Sequence, residues 1–118
     1  MVRSFALALL LVSLAGPAPA SEQTMQERMS GTDNPADKQF IDAMRDLMIG
    51  MHRNMPTGDT DQDFVKMMVP HHQSAVEMAQ TELQYGKDPD LKAMAQAIVT
   101  DQNKEIAMMK AWQDKHTR

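Results

Sequence analysis

The sequence predicts an all-α protein, an up-down antiparallel helical bundle of three long helices preceded by a short N-terminal arm or helix. Three observations predict it. Apolar side chains recur at steps of three and four along three stretches, Asn34-Pro35 and Asp88-Pro89 read as helix starts, and no stretch alternates apolar and polar residues as a strand would.

The first twenty residues, MVRSFALALLLVSLAGPAPA, place Arg3 before an apolar run from Phe5 to Leu14 and end in the small-x-small pattern Ala18-Pro19-Ala20. This is the layout of a secretory signal peptide, and a run of about ten residues falls short of the roughly twenty that a spanning helix needs. Residues 1–20 are therefore set apart from the fold, and the mature chain is expected to be exported. Residues 21–34 make the arm, polar except for Met25 and Met29 one helical turn apart, and residues 35–118 make the helical bundle domain.

The first helix is expected over roughly 35–54, with Asn34 as N-cap, Pro35 at the first position and Asp37 near the positive helix end. Phe40, Met44, Leu47, Met48, Met51 and Met55 form one stripe, and Pro56-Thr57-Gly58 ends it. Thr60 with Asp63 resembles a capping box that opens a second helix, roughly 60–85, carrying Phe64, Met67, Met68, Val76, Met78 and Leu83. Pro70 lies inside it and should kink or restart the helix just before two histidines. Gly86 closes this segment, and Asp88-Pro89-Asp90 starts a third helix, roughly 89–115, with Leu91, Met94, Ile98, Glu105, Met109 and Trp112 on or near one face. Each longer helix, at about 26 residues, spans roughly 39 Å. The core of such a bundle is thin, and either the arm acting as a fourth helix or pairing of two chains would thicken it.

The chain has 118 residues, 12 basic and 16 acidic side chains, four His and no Cys. After the signal, 11 basic and 16 acidic groups remain, a formal charge of −5. That balance argues against a nucleic-acid partner, and no long cationic tract is present to hold an anionic membrane. Disulfides and thiolate ligands are excluded outright. Methionine, by contrast, is abundant: 12 of the 13 Met lie in the mature chain, where Leu, Ile, Val and Phe together number 13. Some of these Met must serve the core.

The densest chemical cluster is Met67-Met68-Val69-Pro70-His71-His72, followed by Ala75 and Met78. On a helix, Met67, His71 and Met78 share one stripe. His72 lies about 100° round from His71, over Met68, so two imidazoles of one regular helix serve neighbouring sites unless a kink at Pro70 brings them together. The first helix adds Met44, Met48, Met51 and Met55, with His52 one turn after Met48, and the third adds Met94, Met108 and Met109. Thioether with imidazole selects copper among metals met outside the cytoplasm, Cu(I) preferring sulfur and Cu(II) imidazole. A thioether also binds without the deprotonation that a thiol requires.

Plainer readings stand beside these. A stripe such as Met44, Met48, Met51 and Met55 is by default core, and His116 reads as an idle tail residue. A carboxylate-bridged di-iron enzyme would use Glu and Glu-x-x-His on facing helices, yet no Glu precedes any His by three here. Ser74, two residues after His72, lacks the surroundings of a hydrolytic nucleophile. A Met-rich surface could instead hold apolar peptide segments, as a periplasmic holdase would, without metal.

The stretch Asp63-Phe64-Val65-Lys66-Met67-Met68-Val69-Pro70-His71-His72-Gln73-Ser74-Ala75-Val76-Glu77-Met78-Ala79, with Gln102, Glu105, Ile106 and Met109, resembles the exported CopM-type copper metallochaperones, part of a helical domain family with a ferritin-like bundle. The resemblance covers roughly residues 38–115. It implies a ferritin-like fold, copper binding in the periplasm, and a part in copper tolerance or delivery. Met68, His71, His72 and Met78 fall on the family's signature, and Gln102, Glu105 and Met109 on its third-helix pattern. Longer relatives repeat the His-His unit, and this chain has one copy.

The expectation is therefore an exported, non-enzymatic copper-binding protein, a metallochaperone or buffer. Its expected metal ligands are Met67, Met68, His71, His72 and Met78, then Met44, Met48, Met51, His52 and Met55, with Met109 from the third helix. Expected partners are copper ions, a delivery or efflux protein and a second copy, with no nucleic acid and no membrane span once the signal is removed.

Overall fold

A computed structural model describes residues 33–116. The expected signal peptide and most of the arm, including Met25 and Met29, lie outside the described residues. Within them are three helices and no strands: α1 (Pro35–Arg53), α2 (Thr60–Tyr85) and α3 (Pro89–His116).

The helix starts follow from their caps. Asn34 Oδ1 accepts the Ala36 N–H at 3.0 Å, with Pro35 occupying a first-turn position whose N–H would have no partner. Asp88 Oδ1 repeats the arrangement for α3, accepting from Asp90 N–H at 2.9 Å and Leu91 N–H at 3.0 Å. At α2 the expected capping box is replaced by another device. Asp59 is the N-cap, accepting from Gln62 N–H at 3.1 Å. Asp63 instead turns back to the loop, accepting from Thr57 N–H and Gly58 N–H at 2.9 Å each and from the Thr57 hydroxyl at 2.8 Å. Gly58 sits at φ 100°, a conformation that suits glycine. These hydrogen bonds, led by that of the Thr57 hydroxyl, hold the Asp63 carboxyl below the usual carboxylate range.

Short loops make neighbouring helices antiparallel. Ser74 Oγ of α2 donates to the Ala43 carbonyl of α1 at 2.9 Å, and Thr81 Oγ1 lies 3.2 Å from Gln39 Oε1. Gly50 lets α1 approach closest: a Cβ there would lie 2.5 Å from the Pro70 Cβ. The space that Pro70 takes up is thus matched by a missing side chain opposite, and α2 continues as helix through Pro70 instead of restarting.

On its other side α2 packs against α3, where His72 Nε2 meets Glu105 Oε2 at 2.6 Å and Gln62 Nε2 reaches the His116 carbonyl at 3.4 Å. Ser74 and His72 are two residues apart, about 200° round the helix. The outer helices therefore grip α2 from opposite sides, and the three lie side by side as a layer with two open faces. The substantial helix contacts accordingly run from α1 to α2 and from α2 to α3.

Little is buried in such a layer. Among the described residues the buried apolar side chains are Ala43, Val65, Val76, Ala79, Ala95 and Ile106, and the largest side chains with almost no exposure are two polar ones, Thr81 and Ser74. The first-helix methionine stripe is not the core. Met44, Met48 and Met55 are 38–64 % exposed, and α1 turns Ala43 and Gly50 toward α2 instead. The seams use small side chains because close backbone approach and interhelical hydrogen bonds hold them together.

Candidate metal centre

The two open faces differ in chemistry. On one, a groove is lined by Asp46 and Arg53 of α1, Gln73, Glu77 and Gln80 of α2, and Asn103 and Lys110 of α3. Burial, with the Asp46 charge adding to it, pushes the Glu77 carboxyl above its ordinary range. The opposite face presents Phe40 of α1, Ala75 and Met78 of α2, and Leu91, Met94 and Ile98 of α3 around another groove. Phe64, Met108, Met109 and Trp112 extend it toward the other end of the layer.

Helical geometry assigns the remaining methionines. At about 100° per residue, Met67, Met68 and His71 fall on the same flank of α2 as Phe64 and Met78, while Lys66, Gln73 and Gln80 fall on the polar flank. On α1, Met44 and Met51 lie on the flank of Phe40, away from Asp46 and Arg53, with Met48 farther round toward the outer edge. The helix ends at Arg53, so Met55 lies in the following loop, and His52 is exposed in the last turn. One face of the layer thus gathers thioethers from all three helices.

The histidines diverge as a regular helix requires. His71 is exposed, whereas the His72 side chain is only 12 % exposed, and their ring centroids stand 6.2 Å apart with planes tilted by 59°. The helix runs on through Pro70, so the two rings leave it about 100° apart, one toward solvent and one toward α3. His72 has the more developed surroundings. A carboxylate can only accept, so in the neutral ring Nε2–H donates to Glu105 and Nδ1 keeps its lone pair. That Nδ1 is buried with no hydrogen-bond partner, and so is Oε1 of Gln102, one turn before Glu105 on α3. The register that pairs residue 72 with residue 105 also places Met68 level with Met109. An imidazole oriented by a carboxylate, with a free lone pair turned inward, is a common arrangement of a metal-binding histidine.

Glu105 and Gln102 were not among the ligand candidates, because their relation to His72 depends on interhelical register. The only available signal was their place on the family pattern. His116 is not idle: its ring stacks on Trp112 with centroids 4.3 Å apart, and Nδ1 lies 2.7 Å from the Trp112 carbonyl at the helix end. Ser74 is buried, with its hydroxyl donated to α1.

Among the described residues no three His, Cys, Asp or Glu side chains group as a cation site. No described helix is long and apolar enough to cross a membrane. No curated protein matches the chain. A family model matches residues 11–113, nearly the full length, and the chain belongs to that family, described as a domain of unknown function, DUF305.

Proposed function

We propose that the protein is an exported copper-binding protein, a metallochaperone or buffer, that holds Cu(I) and Cu(II) through the Met and His side chains of its apolar face. The carrying observation is that thioethers from all three helices are gathered on one open face beside His71, and that Met44, Met48, Met94 and Met108 are 38–62 % exposed. Packing of the single chain does not use these side chains. In a chain without thiols, neutral sulfur with one or two imidazoles suits Cu(I), and the imidazoles extend the range to Cu(II).

His72 is the best-prepared nitrogen ligand, with Glu105 as the residue that orients it. Met68 and Met109 are the thioethers level with it, and His71, Met67 and Met78 supply the adjoining surface. The chain from Ser21 should be titrated anaerobically with Cu(I) against a chromophoric chelator, then with Cu(II) and Zn(II). Uptake of copper at fixed stoichiometry well ahead of zinc is expected. Failure to take copper from even a weak chelator would reject the reading and favour metal-independent binding of apolar segments by the same exposed face.

A further inference from the structure

We propose that the methionine face is also the interface of a homodimer, in which two copies pack face to face as a six-helix bundle. The first argument is stability. Among the described residues no buried side chain is larger than isoleucine, while Phe40, Phe64, Leu91 and Met94 are 36–59 % exposed. A fold that leaves these large apolar groups outside needs a cover that is always present. A passing peptide or a metal ion does not meet that need, and a second copy does.

Size gives the second argument. Three helices about 9 Å apart and roughly 36 Å in mean length present a face of about 1,000 Å². Two copies would then bury about 2,000 Å² in all, the size of a stable interface. The twelve residues between the expected cleavage point and Asp33 span at most about 40 Å extended or about 18 Å as a helix. A segment of that length, one chain wide, would leave most of the face uncovered.

Charge gives the third. The mature chain carries a net −5, so two copies meet at least cost through the surface with the fewest charged groups. Phe40, Ala75, Met78, Met94 and Ile98 at the groove are neutral, and the charged groups lining this face are Glu82 beside them and Asp61 on the extension by Phe64 and Trp112. The opposite face carries Asp46 and Glu77 with Arg53 and Lys110, whose charges balance but would each have to be desolvated or paired on docking. A self-complementary patch of this kind closes about a two-fold axis.

The test is sedimentation equilibrium of the chain from Ser21, with chelator present and over a wide concentration range, so that its outcome is independent of copper binding. Twice the chain mass is expected. Met78→Glu with Met94→Glu should weaken dimerisation on the order of 100-fold or more while helical circular dichroism is kept. Because that variant could unfold, the Cys-free chain allows a second test: Met78→Cys should be joined between copies by a short bismaleimide, and Gln80→Cys on the polar face should not. A monomer at all concentrations without Met78→Cys cross-linking overturns the proposal. A monomer whose apolar face is uncovered to dye only by deleting residues 21–32 assigns the cover to the arm, and a dimer untouched by the paired glutamates places the interface elsewhere.

Discussion

The two flanks of α2 belong to the same helix and both lie outside its seams with α1 and α3, yet they differ in almost every chemical respect. One carries Lys66, Gln73, Glu77, Gln80 and Gln84, the other Phe64, Met67, Met68, His71 and Met78. Between them run two narrow seams, Pro70, Ser74 and Thr81 toward α1 and Val65, His72 and Ala79 toward α3. The difference shows that apolar character and core membership have separated in this molecule. Small side chains and hydrogen bonds hold the helices together, while Met44, Met48, Met94 and Met108 stay exposed on the single chain.

Substitutions that sort the seams from the faces sharpen this contrast. Ile106→Ala, in the α2–α3 seam, should cost the most, about 2–4 kcal/mol by urea unfolding, because a buried aliphatic side chain is lost. Gly50→Ala should follow at about 1–2 kcal/mol, the forced separation of α1 from Pro70 outweighing the gain in helix propensity. Met108→Leu, on the open face, should change stability by less than about 0.5 kcal/mol in a monomer. Equal losses for Ile106→Ala and Met108→Leu would erase the distinction between seam and face.

The acidic groups allow a finer comparison. Asp63 has a lowered pKa in the fold, so its stabilisation is complete above the ordinary carboxylate range and is lost as pH falls through the lowered value. Asp63→Asn should accordingly unfold at lower urea near neutral pH and converge with the parent in acid. Glu77 behaves oppositely: its raised pKa means that the folded chain holds the proton more tightly, and ionisation costs stability. Glu77→Gln should raise the neutral-pH midpoint slightly, with the gain fading as pH falls through the raised value. A matching pH dependence in the two variants would contradict the assignment of Asp63 to the loop and Glu77 to the polar groove.

Helix positions were legible because they are encoded locally. Asn34-Pro35, Asp88-Pro89 and Gly86 place boundaries within a residue or so of the observed ones. The side that each helix buries was less legible, since an apolar stripe has the same period whether it faces a neighbour or water. On α1 the decisive residues were Ala43 and Gly50, whose signal is absence of bulk. Asp63 was assigned to a capping box because Thr60-x-x-Asp63 fits that pattern, while its true partners, Thr57 and Gly58, precede the helix. His71 and His72 diverge by the angle that helical geometry sets, with ring centroids 6.2 Å apart. Glu105 and Gln102, some thirty residues away, met His72 only through the antiparallel register.

The most direct test of the copper-binding face is to replace Met44, Met67, Met68, Met78, Met94 and Met109 together by Leu, and to titrate the variant and the parent anaerobically with Cu(I) against one chromophoric chelator while following unfolding by urea. Leucine keeps most of the bulk and removes the sulfur. The expected result is loss of most Cu(I) uptake with helical content and unfolding midpoint nearly unchanged. Unchanged copper uptake with a lowered midpoint would show that these methionines serve packing and would contradict the account.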